Sequence, residues 1–518
     1  MHDLREAWLV RASVILGLVI ACAYALLEGG ELDFCLDDAW IHLAYAKSLR
    51  GGEGLSYNPG DRETGFSSPL WLALLAAWPH GANPVVAVKL LGALLHAACV
   101  GLVVALALEL GRTRASLDEP PPQAGFRVLW RRSGPVPLAA VAGFAGLLCA
   151  TSPTLLQGAS SGMEVSLAAA LLLACVLACV REQWLLAAVA AALAELARPE
   201  ALAFVGAFTL LLALGRRQPR ALLPSGAALL ALLGWVAYCW RVSGWPWPNT
   251  AYVKVEQASL ASALDYLQVQ VLPEQPWLIA LAGVLLLAAA LASDLAPAPD
   301  QPRRFELLAL LGAWLLALLA TALSRPLDVD ILFYQSRYFA IFAALPLPAI
   351  ALGLARVHRF AAALAALAIV ALGALALPRS FALQREQERG VALLHTSAAH
   401  YVARELPRDA VVAVEGAGAQ RYFTPRTMTI VDIIGLNHAA IAHAANDNAK
   451  ACELVRAQPG YFVLPAHIAA ALTQVFELRP LERFVDPRWA QVVEPHEVVV
   501  WVLAVERVRE PWASACRR

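Results

Sequence analysis

The sequence predicts a polytopic α-helical membrane protein, with about eleven spans of roughly 20 residues each, that ends in a small extracytoplasmic α/β domain. Three observations carry this expectation. Of 518 residues, 59% are hydrophobic and only 15% charged, with a mean hydropathy of +0.60; a soluble domain carries about 25% charge. Apolar runs long enough to cross a bilayer core of about 30 Å recur as far as residue 379. Beyond that point short strand and helix signatures alternate. A soluble enzyme, a disordered scaffold, collagen and a coiled coil are excluded. With 40 basic and 40 acidic residues the net charge is zero, so a nucleic-acid partner has no electrostatic footprint.

The first apolar run, Leu9 to Leu27, is too long for the core of a signal peptide, and no convincing cleavage site precedes the acids that follow. It reads as a first span, 8–27. After an outer loop, 28–84, candidate spans occupy 85–109, 136–152, 163–180, 184–197, 199–214, 221–240, 276–293, 305–323, 337–354 and 360–377. The stretch 184–214 is divided because Glu195, Arg198, Pro199 and Glu200 interrupt it. Two short helices meeting at one surface are expected there. The connection 111–134 contains Pro120, Pro121 and Pro122 and reads as a linker.

Orientation follows from basic residues in short loops. Arg5, Arg112, Arg127, Arg131, Arg132, Arg216, Arg217 and Arg220 share one side. The first loop of the other side holds Glu28, Glu31, Asp33, Asp37, Asp38, Glu53, Asp61 and Glu63. A cytoplasmic N-terminus, an odd span count and an outside C-terminus agree with one another. The long segments 28–84, 241–275, 324–337 and 380–518 then share the outer face. Such asymmetry suits chemistry on one side of a membrane. No inverted repeat of a transporter is visible. The chain therefore divides into a membrane domain, 1–379, and an extracytoplasmic α/β domain, 380–518.

In that tail, 410–416, 428–435, 461–465 and 496–505 read as strands, and 388–405, 448–457 and 466–476 as helices. EGAGAQR, 415–421, offers a GxG after a strand, but Arg421 stands where a dinucleotide site needs a third glycine. A tight turn is expected. Cys22, Cys99, Cys149, Cys175, Cys179 and Cys239 lie in apolar runs and read as small core residues. Cys452 and Cys516 lie in the tail and can pair in an oxidising compartment.

The candidate chemistry is on the outer face. LDDAWIHLAYAK places Asp37 and Asp38 before an amphipathic helix with Trp40, Leu43 and Ala44 on one face, as expected of a helix lying along the bilayer surface. One acid there is explained as a helix cap. Two adjacent acids beside a bilayer are better explained by a substrate or a cation that they face. His42 is one turn from Asp38. Glycines and prolines then make an ordered cover whose Tyr57, Phe66 and Trp71 suit sugar rings or lipid headgroups. Glu164 begins the fourth span; Asn249 and Lys254 follow the seventh in WPWPNTAYVK; Arg337 begins the tenth in SRYF. Singly, each cation is as well explained by snorkelling to lipid. Together, beside paired acids, Lys254 and Arg337 read as a phosphate clamp opposite a general base.

The order DDAWIHLAYA, GLSYNPG, SSPLW, SSGMEVSL, ARPEAL, WPWPNTAYVK and SRYF resembles bacterial GT-C type glycosyltransferases. It is most similar to the branch containing the mycobacterial terminal arabinofuranosyltransferase. The tail run VDIIGLNH is also similar to tails of related GT-C proteins. The resemblance implies transfer of a sugar, with arabinofuranose as one candidate, from a polyprenyl-phosphate donor, with inversion. The acceptor is a hydroxyl of a cell-envelope glycan, lipid or protein. It implies Asp37 as the general base, with Asp38 binding acceptor or a divalent cation (Mg2+, Mn2+ or Ca2+); no other cofactor is implied. Lys254 and Arg337 would bind the donor phosphate, and His42, Glu164, Asn249 and Tyr57 would line the substrate pocket. The tail is expected to bind acceptor. Two alternatives remain open at this point: a lipid-linked glycan polymerase or ligase, and a lipid or solute transporter.

Overall fold

The computed structural model of the chain describes residues 2–26, 33–79, 81, 83–112, 136–254, 261, 263–264, 303–324, 333–355, 359–491 and 498–516. The expected span 276–293 and almost all of the linker 111–134 lie outside the described residues.

The first apolar run, α1 (His2–Leu26), packs along α4 (Pro84–Gly111). Close approach depends on small residues: a Cβ on Gly101 would sit 2.6 Å from the Val14 side chain. In chain order α2 (Asp38–Arg50) and α3 (Pro69–Ala77) come between the two. Next come α5 (Leu138–Ala150) and α6 (Pro153–Ser160), bent by 53° at Pro153, where proline removes a helix N–H. The run 184–214 divides as its charges imply, into α8 (Trp184–Ala197) and α9 (Ala201–Arg216), after α7 (Val165–Val180). Arg198, before Pro199, is extended (φ −154°, ψ 120°), the conformation proline imposes on its predecessor. Then follow α10 (Leu223–Ser243), α11 (Asn249–Lys254), a helix at Arg303–Ser324 and a long helix, Arg359–Gly390.

Among the described residues, five helices are long and apolar enough to cross a membrane, or six if α5 and α6 form one bent span. α7, α8 and α9 are apolar but shorter. Leu185, Leu230 and Leu375 remain exposed on their helices, as residues facing lipid do. The expected tenth span, 337–354, is not one helix. Phe333–Ala340 and Leu347–Leu354 are separated by turns ending at Pro346. Arg337 therefore sits within a short broken helix, not at the outer start of a continuous one.

The tail folds around a five-stranded mixed sheet: β1 (Val411–Val414), β2 (Thr429–Asp432), β3 (Tyr461–Pro465), β4 (Phe476–Val485) and β5 (Val499–Val508). Its order is β2-β1-β3-β5-β4. β1 runs parallel to β2 and β3, while β5 is antiparallel to β3 and β4. β4 goes beyond the sequence expectation. Its proline and charges suit only an edge, and pairing slips between Pro480 and Glu482. Cys452 and Cys516 form a disulfide.

Two local expectations change. α2 does not lie on the bilayer surface: nine of its residues, from Ala39 to Ser48, are buried, because the tail covers the side that a surface helix would show to water. Gly416 and the residues after it are not a bare turn but the entry to a helix, Ala417–Phe423, packed on α2.

Candidate active site

A cavity of about 300 Å³ opens where helix ends, the first loop and the tail meet. Asp38, Ile41 and His42 enter it from α2, Phe66 and Ser67 from the loop, and Met163 and Glu164 from the start of α7. Arg198, Pro199 and Glu200 come from the break between α8 and α9, and Trp235 from α10. Trp247, Pro248, Thr250, Ala251 and Lys254 form the next wall, with Arg337 and Tyr338 opposite and Leu436 from the tail.

The electrostatic centre is Asp38. The Lys254 ammonium donates to Asp38 Oδ2 at 2.7 Å, and Arg337 donates from Nη2 to the same oxygen at 2.8 Å. Burial alone would raise the Asp38 pKa, but these two cations hold it well below the usual carboxylate range. The carboxylate is therefore ionised and neutralised on one oxygen.

A second pair stands nearby. Arg198 Nε lies 2.6 Å from Glu164 Oε1, and both residues are almost fully buried. The guanidinium groups of Arg198 and Arg337 lie 5.0 Å and 5.2 Å from the Tyr338 ring centroid, which makes that ring a shared cation–π support. His42 is 6% exposed. Its Nδ1 is 3.1 Å from the Asp38 carbonyl oxygen, and its Nε2 has no partner among the described residues. Burial pushes the imidazole pKa down, against the pull of Glu164 and Asp38. His42 is thus neutral, with one polar atom available to a ligand.

The structure brings together Asp38, Lys254, Arg337, His42 and Glu164, but not the other expected residues. Asp37 points away from the cavity, with its carboxylate accepting from the backbone N–H groups of Gly418 (2.6 Å) and Ala419 (2.8 Å). Burial pushes its pKa up, opposed by His395 and these two N–H donors. Nor does Asp37 cap α2. Tyr57 is fully buried and donates to the Ala417 carbonyl oxygen at 2.6 Å. Asn249 donates to Glu63 at 2.7 Å and so ties α11 to the first loop. Both hold the walls in place; neither lines the cavity. A divalent cation at Asp38 does not fit the residues present. Two cations already occupy Oδ2, and among the described residues no group of three His, Cys, Asp or Glu could hold a metal.

Arg198, Trp235 and Tyr338 are site residues that the sequence reading did not single out. The available signal was ARPEAL, because an arginine inside an otherwise apolar stretch demands a partner.

Residues 381–504 match a family described as a domain of unknown function, DUF8728. No curated protein matches the chain. Solved structures do. ArnT from Cupriavidus metallidurans, bound to undecaprenyl phosphate, superposes with a TM-score of 0.58 at 13% identity, covering 96% of this chain and 97% of that one. The oligosaccharyltransferase AglB from Archaeoglobus fulgidus, in complex with an inhibitory peptide and a dolichol-phosphate, gives 0.52 at 11% identity, over 90% and 70%. Arabinofuranosyltransferase AftD from Mycobacteria gives 0.48 at 17% identity, over 97% and 40%. The chain has the GT-C fold, that of a multi-pass membrane protein.

Proposed function

We propose that the protein is an inverting glycosyltransferase. It moves a sugar from a polyprenyl-phosphate donor to an acceptor hydroxyl of a cell-envelope glycan, lipid or protein on the outer face of the bacterial inner membrane. The observation that carries this reading is one carboxylate, Asp38, held between two cations in a cavity where the helix ends, the first loop and the tail meet. The likeness in fold to ArnT with its undecaprenyl phosphate supports a lipid-phosphate donor.

The chemistry assigns the base to Asp38, not Asp37. The acceptor oxygen attacks the anomeric carbon, the carbon–oxygen bond to phosphate breaks, and Asp38 takes the acceptor's proton. Polyprenyl phosphate leaves with its charge balanced by Lys254 and Arg337. In the free protein those cations make Asp38 a weak base. When a donor phosphate draws them away, the Asp38 pKa rises and the base is switched on by its own substrate. The sign gives a test. The pH profile of kcat/KM reports the free protein and that of kcat the loaded one. The acid limb of kcat is expected at higher pH than that of kcat/KM. Coincident limbs would remove the switching.

Lys254→Met is expected to raise the donor KM and slow transfer, with the choice of sugar unchanged. A donor titration indistinguishable from wild type would reduce Lys254 to a snorkelling residue. Purified protein incubated with radiolabelled polyprenyl-phosphate sugars and membrane extract tests the reading itself, with arabinofuranose the first sugar to try. No transfer from any donor in a folded preparation would remove it. The Cys452–Cys516 disulfide supports an extracytoplasmic tail. A reporter that works only outside the cytoplasm, fused after Arg518, is expected to be active; activity solely from a cytoplasmic reporter would invert the topology.

A further inference from the structure

We infer that the C-terminal domain is part of the catalytic apparatus: by gripping Asp37 it sets where Asp38 stands. This rests on the glycosyltransferase reading above and gives the domain a different task from acceptor docking.

The first loop's acids show the division of labour. Among those described, only Asp38 lines the cavity. Asp33 accepts from Thr396 Oγ1 at 2.7 Å, Asp37 from Gly418 and Ala419, and Glu63 from the backbone N–H of Ala439 at 3.0 Å. All these donors belong to the tail. The contact at Asp37 tolerates no side chain. A Cβ on Gly418 would lie 2.1 Å from the Asp37 carbonyl oxygen and 2.8 Å from the Ile41 nitrogen. The tail therefore meets the backbone that begins α2, one residue from the proposed base. Successive side chains on a helix diverge by about 100°. With the Asp37 carboxylate fixed on the tail side, Asp38 is turned to the cavity, where Lys254 and Arg337 receive it. Asp37 is then a positioning residue. The tail also supplies Leu436 to the cavity wall, so the domain edge and the cavity are continuous.

The test uses the full-length protein carrying Asp37→Asn, Gly418→Ala, or both. Transfer to acceptor is measured beside donor hydrolysis by water. Positioning predicts that each single change lowers kcat for both reactions by the same factor, about 10–100-fold. The acceptor KM is expected to stay within about twofold, since no uniform binding is removed. The double variant is expected to lose little more than either single one, because both act through one contact. Should Gly418→Ala fail to fold, the near-isosteric Asp37→Asn still gives the comparison, with the Cys452–Cys516 bond and monodispersity as checks. Two readouts need no turnover. Amides of 417–423 are expected to lose hydrogen-exchange protection in Asp37→Asn while the sheet keeps its own. Undecaprenyl phosphate is expected to bind at least about threefold more tightly once Asp38 no longer holds its cations. A loss confined to acceptor KM, additive losses, or wild-type rates would overturn the inference. A wild-type protein inactive with every donor would defeat the transferase reading. The positional claim would then be judged by exchange and lipid binding, and unchanged values there would overturn it too.

Discussion

Asp38→Asn is expected to lower sugar transfer about 10²–10⁴-fold, while the protein still inserts and purifies as a monodisperse species. The carboxamide keeps the volume but cannot take a proton at neutral pH. The lost stabilisation of the transition state corresponds to about 3–5 kcal/mol. Lys254 and Arg337 lose a partner at 2.7–2.8 Å, but they face a cavity that a phosphate can enter, so donor affinity is not expected to fall. A drop in kcat without a rise in donor KM separates this base from a residue that only binds. The effect is also expected to exceed that of Asp37→Asn, which acts through position. If Asp38→Asn turned over at near wild-type rates while Asp37→Asn did not, the two roles would be exchanged and the gripping contact would have to break during the reaction.

That ordering of two adjacent acids shows where the sequence stops being informative. Lys254 and Arg337 were legible as candidate site residues because isolated charges in so apolar a chain need a reason to be there, and both do meet Asp38 in the cavity. The tandem Asp37–Asp38 was legible as a candidate site, but adjacency does not say which way each side chain turns. That depends on Gly418 and Ala419, some 380 residues later. Tyr57 and Asn249 misled for a similar reason: a polar or aromatic residue in a loop looks the same whether it faces a ligand or another loop. Arg198 was visible only as a break between helices, since its meaning comes from Glu164 on another helix. The amphipathic pattern of α2 implied a half-exposed surface, yet the tail covers it. β4, with polar residues on both faces and Pro480 inside, carries no two-sided periodicity to read.

Glu388→Leu is expected to destabilise the fold by about 3–5 kcal/mol, the usual result of breaking a buried ion pair from one side. Lys89 of α4 is wholly buried and donates to Glu388 Oε1 at 2.6 Å; Glu388 is 1% exposed. Arg385 pairs with the other oxygen at 2.5 Å, and Gln384 donates to Oε1 at 2.8 Å. One carboxylate therefore serves two cations, and the two substitutions are unequal. Lys89→Met leaves Glu388 with Arg385 and Gln384, so its cost is expected to be clearly smaller. Glu388→Leu strands Lys89 among apolar helices, where no water can replace the lost charge. Combining Lys89→Met with Glu388→Gln removes the stranded charge and is expected to recover much of the loss. Unfolding midpoints in detergent, followed by tryptophan fluorescence, rank the three variants; equal losses for both single changes would mean that the carboxylate does not serve two cations. The location makes the measurement bear on activity. Glu388 lies in the last turn of the long helix that leads into the tail, so loosening it frees the domain that grips Asp37. Transfer in Glu388→Leu is then expected to decline at temperatures below the one at which the protein unfolds.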